Sequence, residues 1–326
     1  MNGNLQQTLI PESELPLAAG TAAPPTTAEA SIQAALGAFE QHMRHEGFAL
    51  NTSKAFASDI RLLGKYLGIG QPIGQIGTKD LNDFLNWLLY ERGVPCSPKS
   101  YARRVTTLKV FFAWLKECGA LVEDPATAVI QHSVRSPIPT LPTETDIKNA
   151  LAVSQRLRLG EGVHPGTGER KPDARPHLLL TLLLKTGIKK GEAMTMVPNH
   201  IDRSNPNEPM LFVRYANPRL RYKERRLPLD PEWLDVLDEY LLQYNPTDTL
   251  FTCTARNLEY VLSDVGTEAG LAQGMLSFEN LRWFSALQDL KAGEEPDEIR
   301  QKLGLSKITW RETKAKLEQL AKPENP

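Results

Sequence analysis

Residues 186–196 read TGIKKGEAMTM, one residue after the apolar run HLLLTLLL at 177–184. The run has the length and pattern of a buried helix, Gly187 breaks it, and a second helix opens with charge. Two lysines, Lys189 and Lys190, therefore stand side by side where the backbone turns and presents them outward. Whether they form a solvated helix start or an anion grip depends on what the rest of the chain supplies.

The chain has 326 residues, 41% of them hydrophobic, and a formal net charge of -1. That is enough for two domains of ordinary size. The near-zero charge means that any phosphate-binding face is local and balanced by acid elsewhere. Cys96, Cys118 and Cys253 are odd in number, widely spaced and form no CxxC pair. They fit a reducing compartment, and neither a disulfide framework nor a zinc ribbon. His42 and His45 lie one helical turn apart with no further ligand nearby, so no metal and no cofactor are expected. No apolar run reaches about 18 residues, and residues 1–30 lack a basic region leading into an apolar stretch. The expectation is a cytoplasmic, nucleoid-associated protein with no membrane partner.

Residues 1–28 mix Pro, Ala, Thr and Gly without periodicity and read as a disordered tail. Residues 29–130 read as a helical bundle. Its first helix carries Ile32, Leu36, Phe39 and Met43 at three- and four-residue steps after a Ser31 cap. A second helix is expected from Asn51 or Thr52 as cap and a third from Thr78. A fourth, SPKSYARRVTTLKVFFAWLKECG, has Val105, Leu108, Phe112 and Leu115 along its apolar side. Prolines 125, 137, 139 and 142 favour an extended connection, so residues 131–142 read as a linker. The region 143–322 opens with a Thr143-capped helix and a polar Gly/Pro-rich insertion. MLFVRYA and RYKERRLPL then read as a two-stranded hairpin turning near NPRL, before helices return to the end. Met194 and Met196 read as core.

The order of these parts carries the argument: a helical domain, a Pro-rich linker, TGIK followed by Glu192, a basic hairpin ending in RRLPL, then LRWFSAL and LGLS. This succession resembles the tyrosine recombinase (phage integrase) family over roughly residues 30–322. The resemblance implies a mainly α protein. It joins an N-terminal helical core-binding (SAM-like) bundle to a mostly helical, integrase-like catalytic-fold domain with a small antiparallel β-sheet. It also implies a site where a tyrosine attacks a DNA phosphate while two arginines, a lysine and two histidine-like donors stabilise the charge. Carried onto this chain, the first arginine falls on Lys189, a point charge in place of a bidentate fork. The HxLRH box becomes Glu279-Asn280-Leu281-Arg282-Trp283, keeping only Arg282. The next donor falls on Leu305, the nucleophile on Lys314, and the hairpin lysine is Lys223, a few residues past its expected place. The last tyrosine is Tyr260 and no histidine follows His200. The fold signature is present and the catalytic set is not.

Basic stretches mark the expected DNA contacts. Lys99, Arg103, Arg104 and Lys109 lie on the fourth helix among no acidic residues. Alternation would put Arg219, Arg221, Lys223 and Arg225 on one strand face, beside Lys189, Lys190 and Arg282. Residues 296–320 also read as a helix-turn-helix, with Gly304 at the turn, Ser306 as cap, and Lys307, Thr309, Trp310 and Arg311 at the recognition end. The partner implied is double-stranded DNA, held by a domain on either side, with self-association on DNA or an active recombinase as further partners. The competing expectations are an accessory DNA clamp, a divergent recombinase completed by a partner, and a regulator reading DNA through the terminal helices.

Overall fold

The computed structural model describes residues 26–131, 137–162, 168 and 171–322. Most of the expected tail, residues 132–136 of the linker and residues 163–167 and 169–170 of the insertion lie outside the described residues. The chain divides into two compact units between Pro137 and Ile138.

The first unit packs α1 (Ile32–His45), α2 (Leu50–Leu67), α3 (Thr78–Asn86) and α4 (Pro98–Glu117) around one core. Ser31 caps α1 by accepting the Ala34 N–H at 3.2 Å, and Ser97 caps α4 ahead of Pro98. A π turn over Trp87–Glu91 extends α3. The core is rich in rings. Phe39 meets Phe111 edge-on at 5.1 Å, and Phe111 meets Phe112 at 5.2 Å. His42 stacks on Trp114, so it serves packing, and His45 lies exposed. Among the described residues no group of His, Cys, Asp or Glu is gathered for a metal ion.

The second unit is built on α6 (Arg175–Thr186), whose leucines 178, 179, 180, 182 and 183 are all buried. A helix apolar all round must be central. Packed around it are α5 (Glu144–Leu159), α7 (Lys190–Met194), α8 (Glu232–Tyr244), α9 (Ala255–Glu268) and α10 (Phe278–Lys291). A short antiparallel sheet runs in the order β1 (Ile201–Asp202), β2 (Met210–Val213), β3 (Arg225–Pro228). A separate cluster of Ala286, Leu287, Ile299, Leu303, Trp310 and Leu317 fastens α11 (Pro296–Lys302) and α12 (Lys307–Leu320) to α10.

Several local expectations change. The second helix starts at Leu50, so Asn51 and Thr52 lie inside it. Gly77 precedes α3 and Asp80 accepts its N–H at 2.8 Å, while the Thr78 hydroxyl donates to the Pro125 carbonyl. The expected long hairpin strands are four residues each, and Pro218–Lys223 closes into a 3-10 helix. Pro218 and the Asn217 side chain, which accepts the Arg219 N–H at 3.0 Å, favour that turn over a continued ladder. Arg219, Arg221 and Lys223 therefore share no strand face with Arg225. Trp310 is buried in the α10–α12 cluster, which removes it from the recognition end of a helix-turn-helix.

Candidate nucleic-acid interface

Gly187 ends α6 at φ +56°, in the left-handed region that favours glycine, and a Cβ there would stand 3.1 Å from Leu303 Cδ2. The chain then turns so that Lys189 precedes α7 and Glu192 falls in its first turn. The Glu192 carboxylate reaches back to accept the Lys189 N–H at 2.8 Å. It is almost fully buried and becomes the centre of a cation cluster. Arg225 from β3 donates Nη1 to Oε1 at 3.0 Å and Nη2 to Oε2 at 2.8 Å, a bidentate fork. The Tyr215 hydroxyl donates to Oε1, and the Lys189 ammonium lies 3.8 Å from the same oxygen.

The loop between α11 and α12 closes the other side. Lys189 Nζ donates to the Gly304 carbonyl at 3.1 Å, and Arg225 Nε donates to the Lys302 carbonyl at 2.6 Å. Arg282, on α10, donates Nη1 to the Gly187 carbonyl and Nη2 to the Leu303 carbonyl. Gly304 also has φ +56°, and a Cβ on it would lie 2.7 Å from Arg225 Nη1. Two glycines thus let two loops approach three cations.

Three cations face one carboxylate. Burial lowers the Arg282 guanidinium to about 10, opposed by Glu192 and reinforced by Arg225. Burial likewise brings the Lys189 ammonium down to about 8 against the attraction of Glu192, with Arg282, Arg225 and Lys223 adding to the fall. Burial alone would raise the Glu192 carboxyl; Arg225, the Lys189 N–H and Tyr215 hold it at about 2. Burial and then Glu192 push the Tyr215 phenol up to about 12. The cluster carries uncompensated positive charge, and the Lys189 side chain, 36% exposed, connects it to solvent.

The other residues singled out by sequence lie as follows. Lys190 pairs with Glu259 at 2.5 Å. Glu279 stands in the first turn of α10, where its charge favours the ionised Arg282. Leu305 and Trp283 pack against the α10–α12 cluster. Lys314 faces Glu318 at 3.6 Å. Lys307, Arg311, Lys109 and Lys99 are exposed. Arg225 points inward to Glu192, with a side chain 8% exposed, and is corrected from an outward DNA contact to an organiser of the cluster.

In the first unit, Asp59 lies buried on α2. Arg103 binds it with both arms at 2.9 and 2.7 Å, Thr107 donates to it at 3.0 Å, and Arg104 Nε stands 3.5 Å away. Arg104 also meets the Cys96 sulfur at 2.7 Å. These two arginines are anchored rather than lying on a plain solvated helix face. Sequence reasoning missed Asp59, Tyr215 and the central role of Glu192. The signals were present: Asp59 interrupts the apolar spacing of Phe56, Ile60 and Leu63, and Glu192 sits three residues after Lys189.

A model of the phage integrase N-terminal SAM-like domain matches residues 36–118. Tyrosine recombinase XerC from Mycobacterium sp. (strain JLS) is 25% identical over 175 residues, which is 53% of this chain and 55% of that protein. The chain thus spans about half the length of that relative. Tyrosine recombinase XerD from Listeria innocua serovar 6a is 22% identical over 279 residues, 81% of this chain and 87% of that protein. Among solved structures, a lambda integrase dimer bound to a COC' core site aligns with TM-score 0.66 at 15% identity, covering 91% of this chain and 79% of that one. The XerH recombinase bound to its difH substrate aligns with TM-score 0.63 at 15% identity, covering 93% and 99%. The chain thus has an integrase-like fold with a SAM-like first unit, and its similarity to tyrosine recombinases runs through both units.

Proposed function

We propose that this chain holds duplex DNA through its backbone phosphates without cutting it, as an accessory or architectural factor in recombination or integration of a mobile element. The observation that carries the reading is the cluster of Lys189, Arg225 and Arg282 around the single carboxylate of Glu192. Its excess charge suits a phosphate, and among the described residues no side chain suited to attack that phosphate accompanies it.

Tyr215 is the tyrosine in the cluster, and its phenol is the wrong nucleophile. It donates to Glu192 and is pushed up to about 12, the opposite of what attack requires. The hydroxyls of α12 are occupied by local structure. Ser306 Oγ accepts the Thr309 N–H at 3.2 Å, and the Thr313 hydroxyl donates to the Thr309 carbonyl at 3.1 Å. The lambda integrase and XerH structures contain DNA, which is consistent with a duplex partner here. Lambda integrase there is a dimer, which favours self-association on DNA as the second element of the reading. The burial of Trp310 counts against a regulator that reads bases through α12.

The test is binding of fluorescently labelled duplex DNA at increasing salt. Phosphate neutralisation releases counterions, so affinity should fall with a log–log slope of about -0.9 for each phosphate contacted. A slope near zero, or no binding to duplex at low salt, contradicts the reading.

A further inference from the structure

The tip between β2 and β3 and the strand ends beside it carry, besides Arg225, five basic side chains and one exposed ring. Arg214, Arg219, Arg221, Lys223 and Arg226 belong to this short segment, and none of the five forms an ion pair among the described residues. The one acid of the segment, Glu224, is exposed, and its carboxylate accepts the Tyr215 N–H at 3.0 Å. Tyr222 is 70% exposed, and Lys223 Nζ stands 5.2 Å from its ring centroid.

The tip is ordered by its own hydrogen bonds. Leu220 N–H donates to the Asn217 carbonyl and Glu224 N–H to the Arg221 carbonyl, both at 2.9 Å. At its base the guanidinium groups of Arg214 and Arg226 stand 5.4 and 4.7 Å from the Phe212 ring centroid. A ring of this size normally buries most of its surface. Leaving Tyr222 in water on a braced, cation-flanked turn is explained by a planar partner beside phosphates.

We propose that Tyr222 is a stacking platform for an unstacked DNA base, with Arg219, Arg221 and Lys223 holding the flanking phosphates. The surface would then favour DNA with a bulged or unpaired base over perfect duplex. This rests on the DNA-binding reading and adds a preference for DNA form that the buried cation cluster does not supply. Stacking depends on the ring face and is indifferent to the hydroxyl.

The experiment measures affinity of the full chain for two labelled 20-base-pair duplexes, one perfect and one carrying a single bulged 2-aminopurine. The expected result is tighter binding of the bulged duplex, with its 2-aminopurine fluorescence quenched on binding. Tyr222→Ala should lose about 5- to 150-fold on the bulged duplex, the range of one aromatic–base stack, and change little on the perfect one. Tyr222→Phe should retain both affinity and quenching. Because Tyr222 is exposed, an unchanged thermal melt of each variant shows that the fold is intact. Perfect-duplex binding with no bulge preference, or a preference that survives Tyr222→Ala, overturns the stacking proposal alone. Failure of the wild-type chain to bind either duplex overturns the DNA-binding reading itself.

Discussion

At the scale of single residues, Glu192 decides how the cation cluster holds together. It is the one carboxylate shared by Arg225, Lys189 and Tyr215. Removing one member of a buried ion pair typically costs about 3–5 kcal/mol. Glu192→Gln should therefore lower stability by about that amount, read by urea unfolding at pH 7. The pH dependence has a defined sign. Glu192 is held at about 2, below the ordinary 4.5, so its contribution is present above 4.5 and lost as pH falls toward 2. The variant should flatten that acid limb; an acid limb identical to wild type would show that Glu192 is not so held. Lys189 works in the opposite sense. At about 8 against an ordinary 10.5, its protonated form is disfavoured in the folded state, so stability should rise between pH 8 and 10.5. Lys189→Met should remove that rise from the unfolding curves.

At the scale of elements, the α6–α7 turn and the α11–α12 turn meet across the cations, and Gly187 and Gly304 permit the meeting. Gly304→Ala would place a methyl carbon 2.7 Å from Arg225 Nη1 on a backbone at φ +56°. The strain alone is worth about 1–3 kcal/mol, and the displaced guanidinium adds to it. The expected outcome is a lower melting temperature together with weaker duplex binding; unchanged values for both would show that the turn is not held against Arg225. Much of this level was legible in the sequence. The caps at Ser31, Thr143 and Ser306, the apolar spacing of α1 and α4, and the glycine stop of α6 are local signals, and the local structure fulfils them. The hairpin tip was not legible, because Arg219–Arg225 alternates as a strand would while Pro218 and the Asn217 cap favour a 3-10 turn. The inward direction of Arg225 was equally hidden. It depends on Glu192, 33 residues away, and on a carbonyl 77 residues away.

At the scale of the whole molecule, the integrase-like fold surrounds the cation cluster, and the proposal that the chain binds without cutting rests on the places where the family resemblance puts reactive groups. Lys314 pairs with Glu318, Leu305 and Trp283 are packed, and no tyrosine follows Tyr260. A missing preorganised donor typically costs about 2.7–4 kcal/mol of barrier. Lys314→Tyr alone should therefore form no covalent link to DNA; an adduct from this single variant would mean that the remaining cations suffice. Binding without cleavage would leave a complex that denaturation removes. The purified wild-type chain is incubated with a pool of randomised duplexes carrying nicks that trap a cleaved strand, and the same sample is run on native and on denaturing gels. The account predicts a salt-sensitive retarded complex on the native gel and no protein–DNA adduct that survives denaturation. A denaturation-resistant adduct formed by this chain alone would contradict it.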